Sequence, residues 1–189
     1  YDLERGRIDL APHPFTTSFG AGDVRITTRF LDTDGMSALL STMHETGHAL
    51  YDQGLDPKYH ETSLGQAASY AIHESQSRLW ENLVGRSREF CGFAFPVMQM
   101  LFPQHLGNVS LEQFYRGINR VEPSLIRVEA DEATYNLHIM LRFEIETGLL
   151  EGSLQARHLP EIWNTRMQEY LGLTPPDDSR GVLRDVHWS

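Results

Sequence analysis

The chain has 189 residues, 40% hydrophobic and 22% charged, enough for one domain with a real core or for part of a larger one. Its 26 acidic and 16 basic residues give a formal net charge of −10, which argues against a nucleic-acid or anionic-membrane surface, where a basic face is expected. The one cysteine, Cys91, excludes an internal disulfide and a cysteine-based zinc site, and its run EFCGFAF fits a buried inert thiol rather than a nucleophile.

Residues 11 to 30, APHPFTTSFGAGDVRITTRF, are rich in Thr, Phe, Val and Ile around Gly20-Ala21-Gly22, and predict two short strands joined by a glycine-containing turn. After Asp32-Thr33-Asp34-Gly35, which offers helix caps, the pattern turns helical. A first helix is expected from Met36 to Gln53, with an apolar stripe and with Gly54 as its stop. A second covers Gln66 to Phe90 and a third lies near Phe95 to Pro103. A fourth begins after Ser110, and a fifth follows Pro123 to about Glu146 and ends at Gly148. Ser153 or a neighbour caps a sixth, to about Leu171, and TPPDDSRG reads as an exposed loop.

The expected fold is thus mainly α, a helical core with a small β-hairpin near the N-terminus. No composition shift, repeat or low-complexity segment marks a domain boundary, so residues 1–189 read as a single domain. No apolar run approaches the roughly 20 residues of a membrane span, and no signal peptide is visible. A cytoplasmic protein with no membrane or nucleic-acid partner is the expectation. The start, YDLERGRIDL, has no initiator Met and begins mid-pattern, as a piece of a larger protein would.

The first helix contains TMHETGHALYDQG. His44 and His48 stand at i and i+4, on one helix face, an arrangement that suits a tetrahedral zinc ion. Glu45 lies on the flank of that face, able to reach a water at the metal without ligating it, which is the logic of the His-Glu-x-x-His pattern. In one class of zinc peptidases the motif extends to Gly and a third His. Tyr51 and Gly54 occupy those positions here, which excludes that class. In the other class a second helix supplies a glutamate. SYAIHESQSRLWEN offers His73 and Glu74, 25 and 26 residues after His48, and spacing alone does not choose between them. The preceding GQAASYAI is small and apolar, a composition that lets two helices approach closely. Glu81 is a weaker candidate, and His60 and Glu61 lie on the intervening loop.

HETGH, then HESQSRLWEN and IRVEADEATYNLHIMLRFEIE, together with HPF (13 to 15), DVRIT (23 to 27) and GVLRDVHW (181 to 188), resemble the carboxypeptidase Taq family of metallocarboxypeptidases in content and order. One departure is Arg184, where that family usually has Gln. The resemblance implies a gluzincin fold with His44, His48 and Glu74 as zinc ligands and Glu45 as general base, cobalt or manganese being substitutes for zinc. It implies a larger, mostly helical homodimer acting on peptide substrates in a deep groove, of which this chain is the catalytic core.

An exopeptidase must bind the free C-terminal carboxylate, which calls for arginine in fork geometry. Arg127 in IRVEAD and Arg25 in DVRIT are the candidates, and the resemblance favours Arg127. His13 and His187 are candidate donors to the substrate or to the tetrahedral oxyanion. The family's oxyanion tyrosine is expected beyond Ser189. The competing readings are a folded metal-binding fragment without activity, and a zinc endopeptidase or dipeptidyl-carboxypeptidase built on the same site.

Overall fold

Asp34 begins the helix that carries HETGH. In the computed structural model, which describes residues 1–32 and 34–184, the Asp34 carboxylate accepts the Ser37 N–H at 2.9 Å and opens α1 (Gly35–Gln53). Gly54 closes it as expected, its N–H bonded to the Leu50 carbonyl at 3.0 Å. The chain divides into two compact units, Tyr1–Ile118 and Asn119–Ser189.

In the first unit, α1 packs against a small sheet. The expected hairpin is present as β2 (Thr16–Ser18) and β3 (Val24–Thr28), antiparallel, with Gly20 at φ 113° in the turn, a conformation that favours glycine. A third strand, β1 (Gly6–Leu10), was not expected; it pairs parallel with β3 from Gly6↔Val24 to Leu10↔Thr28, giving the order β1-β3-β2. Val24 and Ile26 of β3 meet Ala49 of α1, all at 0% exposure. Gln53, at the end of α1, holds the N-terminus: its side chain accepts the Asp2 N–H at 3.0 Å and donates to the Asp2 carbonyl at 2.9 Å.

The second predicted helix is divided differently. Ser69 caps α2 (Tyr70–Arg78), which runs into a π-helical stretch at Leu79–Val84. The chain then breaks, because Ser87 takes an extended conformation and accepts the Phe90 N–H to start α3 (Arg88–Leu101). The expected boundary near Phe95 therefore falls mid-helix. A one-turn helix, α4 (Pro103–Leu106), precedes α5 (Leu111–Ile118). Cys91, Phe95 and Phe114 form the core here, and burial pushes the Cys91 thiol pKa up, in keeping with the inert reading.

Close approach of α1 and α2 does occur, though not through the small residues Gly65, Ala67, Ala68 and Ser69, which precede α2. It is made by Gly47, where a Cβ would lie 2.6 Å from the Ser77 Cα and 2.9 Å from the Gln76 carbonyl carbon. Backbone cannot yield as a flexible side chain does. Gly47→Ala, in spite of alanine's better helix propensity, is therefore expected to cost about 1–3 kcal/mol, the range for overpacking a close-packed site. Chemical denaturation of the metal-free protein measures it, and an unchanged or raised midpoint would refute the close approach.

The second unit holds α6 (Tyr135–Leu150) and α7 (Leu159–Leu171), packed through Leu141, Ile145, Trp163, Met167 and Leu171, with Val182 against them. The fifth helix was expected from Pro123, but IRVEAD forms a short 3-10 turn at Arg127–Glu129. The helix starts later because the Asp131 carboxylate accepts the Ala133 and Thr134 N–H groups at 2.9 and 2.8 Å. Gly148 does not end it: Gly148 is buried inside α6, where a Cβ would meet Leu154 Cγ at 2.7 Å, and Gly152 at φ 76° makes the reversal. Ser153 caps neither end of α7, since its hydroxyl donates to the Gly148 carbonyl at 3.2 Å and His158 is the N-cap. TPPDDSRG contains a 3-10 turn, Asp178–Arg180, closed by the Asp177 side chain. The fold is mainly helical with a three-stranded sheet near the N-terminus. Among the described residues no helix is long and apolar enough to cross a membrane.

Candidate metal centre

One turn apart on α1, the His44 and His48 rings lie edge to face with centroids 4.9 Å apart. Glu74 faces them from α2, its Oε2 3.7 Å from His44 Nε2 and 3.3 Å from His48 Nε2. Metal–ligand bonds of about 2.0–2.2 Å in tetrahedral geometry place neighbouring ligand atoms about 3.3–3.6 Å apart, so this donor set fits a zinc-sized ion. Among the described residues it is the one group of three or more His, Cys, Asp or Glu side chains whose ligand atoms converge, all within 4.8 Å of one another.

Glu74 and His44 are each gripped from behind. Arg78 Nε donates to Glu74 Oε1 at 3.1 Å, which leaves Oε2 as the oxygen turned to the imidazoles. The same guanidinium donates through Nη1 to Glu81 Oε2 at 2.9 Å, and Glu81 Oε2 lies 2.7 Å from His44 Nδ1. Glu81 sits in the π-helical stretch, a wider turn that is frequent at functional sites. Burial pushes the Glu74 carboxyl up, but the His48 hydrogen bond and the charges of His44 and Arg78 outweigh it and hold the pKa at about 2, below the usual 4.5. Glu81 is lowered in the same way, burial being opposed by His44 and Arg78.

The geometry separates the alternatives that spacing left open. Both ring nitrogens of His73 are engaged, Nδ1 with His48 Nδ1 at 2.6 Å and Nε2 with Asp52 Oδ1 at 3.1 Å, so His73 has no lone pair to offer the centre. Glu81 is turned to the far side of His44. His60 lies on the loop against Gly20, where a Cβ on that glycine would strike its ring. Neither His60 nor Glu61 belongs to the converging group.

The family model described as carboxypeptidase Taq (M32) metallopeptidase matches residues 1–189. The chain belongs to the carboxypeptidase Taq family. Thermostable carboxypeptidase 1 of Thermus thermophilus is 52% identical over all 189 residues, which are 37% of that protein, and carboxypeptidase 1 of Bacillus subtilis is 45% identical over the same length, 38% of it. The crystal structure of an M32 carboxypeptidase from Deinococcus radiodurans superposes with a TM-score of 0.94 at 52% identity, covering 100% of this chain and 38% of that one. The chain therefore spans well under half the length of these carboxypeptidase Taq relatives.

Glu45 follows the first histidine of the HETGH motif and is buried, at 7% exposure. Its Oε2 lies 2.6 Å from the Thr16 hydroxyl on β2, which also lies 3.1 Å from the Glu45 carbonyl. Arg25 stands on the exposed face of β3 with its fork taken by Asp23, Nε to Oδ1 at 2.9 Å and Nη2 to Oδ2 at 2.7 Å. His13 is exposed, its Nδ1 2.6 Å from the Pro14 carbonyl. In the second unit, Arg127 donates from Nη1 to the Tyr135 hydroxyl at 2.9 Å. His187 lies outside the described residues, as do Asp185 and Trp188 of the same motif.

Sequence reasoning did not assign Thr16, Asp52 or Arg78 to this centre, nor Glu81 to His44. Arg78 and Glu81 had a readable signal: they follow Glu74 at i+4 and i+7, one helical face. Asp52 continues the His44 and His48 face by a further four residues. Thr16 comes from a strand remote in sequence and had none.

Proposed function

We propose that the chain carries the catalytic centre of a zinc-dependent metallocarboxypeptidase that releases C-terminal amino acids from peptides. The observation that carries this reading is the convergence of His44, His48 and Glu74, with Glu74 Oε2 3.7 and 3.3 Å from the two Nε2 atoms and all three ligand atoms within 4.8 Å of one another, and with Glu45 buried on the same helix as the histidines. Membership of a metallopeptidase family and relatives named carboxypeptidases support it.

His44, His48 and Glu74 would hold the metal, with cobalt or manganese as replacements for zinc. A metal held there would supply a Lewis acid to polarise the scissile carbonyl and to lower the pKa of the attacking water. Glu45 takes the proton of the attacking water and passes it to the departing amine nitrogen. Thr16 donates to the Glu45 carboxylate and so fixes where that base sits. His13 and His187 are proposed as donors to the substrate. The full protein as a homodimer belongs to the same proposal and rests on the resemblance, and a cytoplasmic location is proposed with it as the default.

Arg127 is proposed as the anchor of the substrate carboxylate. Arg25 is the second candidate, since the family resemblance favours Arg127; to bind a substrate carboxylate it would have to release Asp23. Charge-assisted hydrogen bonds of this kind contribute roughly 1.5–3 kcal/mol, about 10- to 100-fold. Peptides amidated at the C-terminus are thus expected to be cleaved about 10- to 100-fold less efficiently by the metal-loaded full chain, and Arg127→Ala should narrow that gap. If Arg25→Ala narrows it and Arg127→Ala does not, the anchor is Arg25. Equal cleavage of free and amidated peptides would replace the exopeptidase reading with the endopeptidase one. Metal binding without turnover of any peptide would favour an inactive binding module.

A further inference from the structure

His44 backs onto a carboxylate, but His48 backs onto another imidazole. The His48 Nδ1 to His73 Nδ1 distance is 2.6 Å, a hydrogen bond that needs one proton between two nitrogens. Beyond it, His73 Nε2 lies 3.1 Å from Asp52 Oδ1. Asp52 is on α1, one turn past His48, and is buried at 8% exposure. The Tyr51 ring also packs edge-on to His73, with centroids 5.0 Å apart. Two residues of α1, one turn apart, thus hold an α2 histidine at both ring nitrogens.

The proton positions follow from this arrangement together with the reading that His48 ligates a metal through Nε2, on which the inference rests. A ligating Nε2 has no proton, so the neutral ring carries its proton on Nδ1 and donates it to His73. His73 then accepts at Nδ1 and keeps its own proton on Nε2, which donates to Asp52. The reverse order fails at both ends. With the proton on His73 Nδ1, His73 Nε2 would turn a lone pair on the Asp52 carboxylate, and His48 would be protonated at the nitrogen that faces the metal.

We propose that Asp52 and His73 are positioning residues for the metal centre, a two-residue relay that fixes the tautomer and rotation of His48 from behind. Acceptors in this place commonly raise metal affinity by orienting the ligand. Here the device has a second effect. His73 immediately precedes Glu74, so pinning its ring to α1 also fixes how α2 presents the third ligand. The two imidazoles of the centre are then held differently, His44 by the Glu81 carboxylate directly and His48 by a carboxylate acting through a neutral ring.

The test is zinc titration of the metal-stripped full chain against a chromophoric chelator. His73→Leu removes the acceptor and is expected to raise the zinc dissociation constant about 10- to 100-fold. His73→Asn puts an amide oxygen near the lost Nδ1 and should restore most of that affinity. Wild-type affinity in His73→Leu overturns the relay, and so does equal loss in the Leu and Asn variants. The metal reading fails in a different way: the parent chain would bind no zinc, or His48→Ala would bind it as well as the parent. If His73→Leu does not fold, the imidazole nitrogen spectrum of the zinc-loaded parent decides. His73 protonated at Nε2 and bare at Nδ1 supports the relay, and the opposite tautomer overturns it.

Discussion

Glu74→Ala is expected to strip the centre of its metal under conditions in which Glu81→Ala retains a measurable share. The two carboxylates share Arg78 and both face a histidine, yet they stand on opposite sides of the imidazoles. Glu74 Oε2 lies 3.3 Å from His48 Nε2 and faces the convergence point, whereas Glu81 Oε2 lies 2.7 Å from His44 Nδ1, behind the ring. On the proposed assignment, loss of Glu74 removes one of three ligands and the charge that offsets a dication. Loss of Glu81 removes an orienting partner, which typically costs 10- to 100-fold in metal affinity. In the metal-free chain the His48 hydrogen bond and the charges of His44 and Arg78 hold the Glu74 pKa at about 2 against burial, so this carboxyl is ionised at neutral pH before any metal binds. Metal content after dialysis of the full chain distinguishes the two variants. Equal retention would move the third ligand away from Glu74.

What could be read from sequence, and what could not, follows from how local each cause is. The helix α1 was legible because its cap, its apolar stripe and its glycine stop lie within it, from Asp34 to Gly54. The β2–β3 hairpin was legible because Gly20 marks a turn that needs positive φ. By contrast β1 was missed although Arg7-Ile8-Asp9-Leu10 alternates polar and apolar, because the run is only five residues long and its pairing partner is remote in sequence. Gly85-Arg86-Ser87 passed as helix interior, although Ser87 followed by Glu89 in the first turn is a start signal. Gly148 was read as a stop because glycine usually is one, when its role is to admit Leu154 against α6.

At the centre, periodicity put His44 and His48 together, but His73 and Glu74 are adjacent and both lay within reach. Their separate roles are set by how α2 lies against α1, and Gly47 against Ser77 fixes that contact. No residue of HESQ encodes it locally. The outer partners show the same division: Arg78 and Glu81 repeat along the Glu74 face, whereas Thr16 reaches Glu45 only through the packing of the sheet on α1.

Glu45→Gln should leave the metal in place and remove most of the hydrolysis. Glu45 does not belong to the converging ligand set, and its carboxylate is held by Thr16 on the sheet side of α1, so the substitution removes no ligand. Glutamine keeps the shape and still offers an oxygen to the Thr16 hydroxyl. What it lacks is the capacity to accept a proton from water and hand it to the leaving nitrogen, work that typically contributes about 10²–10⁴-fold in rate. The expected result for the full chain is metal content and thermal stability near the parent's, with kcat lower by about that factor and KM little changed, since a proton acceptor acts mainly in the transition state. Thr16→Val gives the companion measurement. With the carboxylate intact but untethered, it should lose less activity than Glu45→Gln and more than an exposed substitution on the same strand such as Ser18→Ala. Near-normal turnover in Glu45→Gln would mean that another group is the base, and loss of metal in that variant would make Glu45 a structural part of the centre.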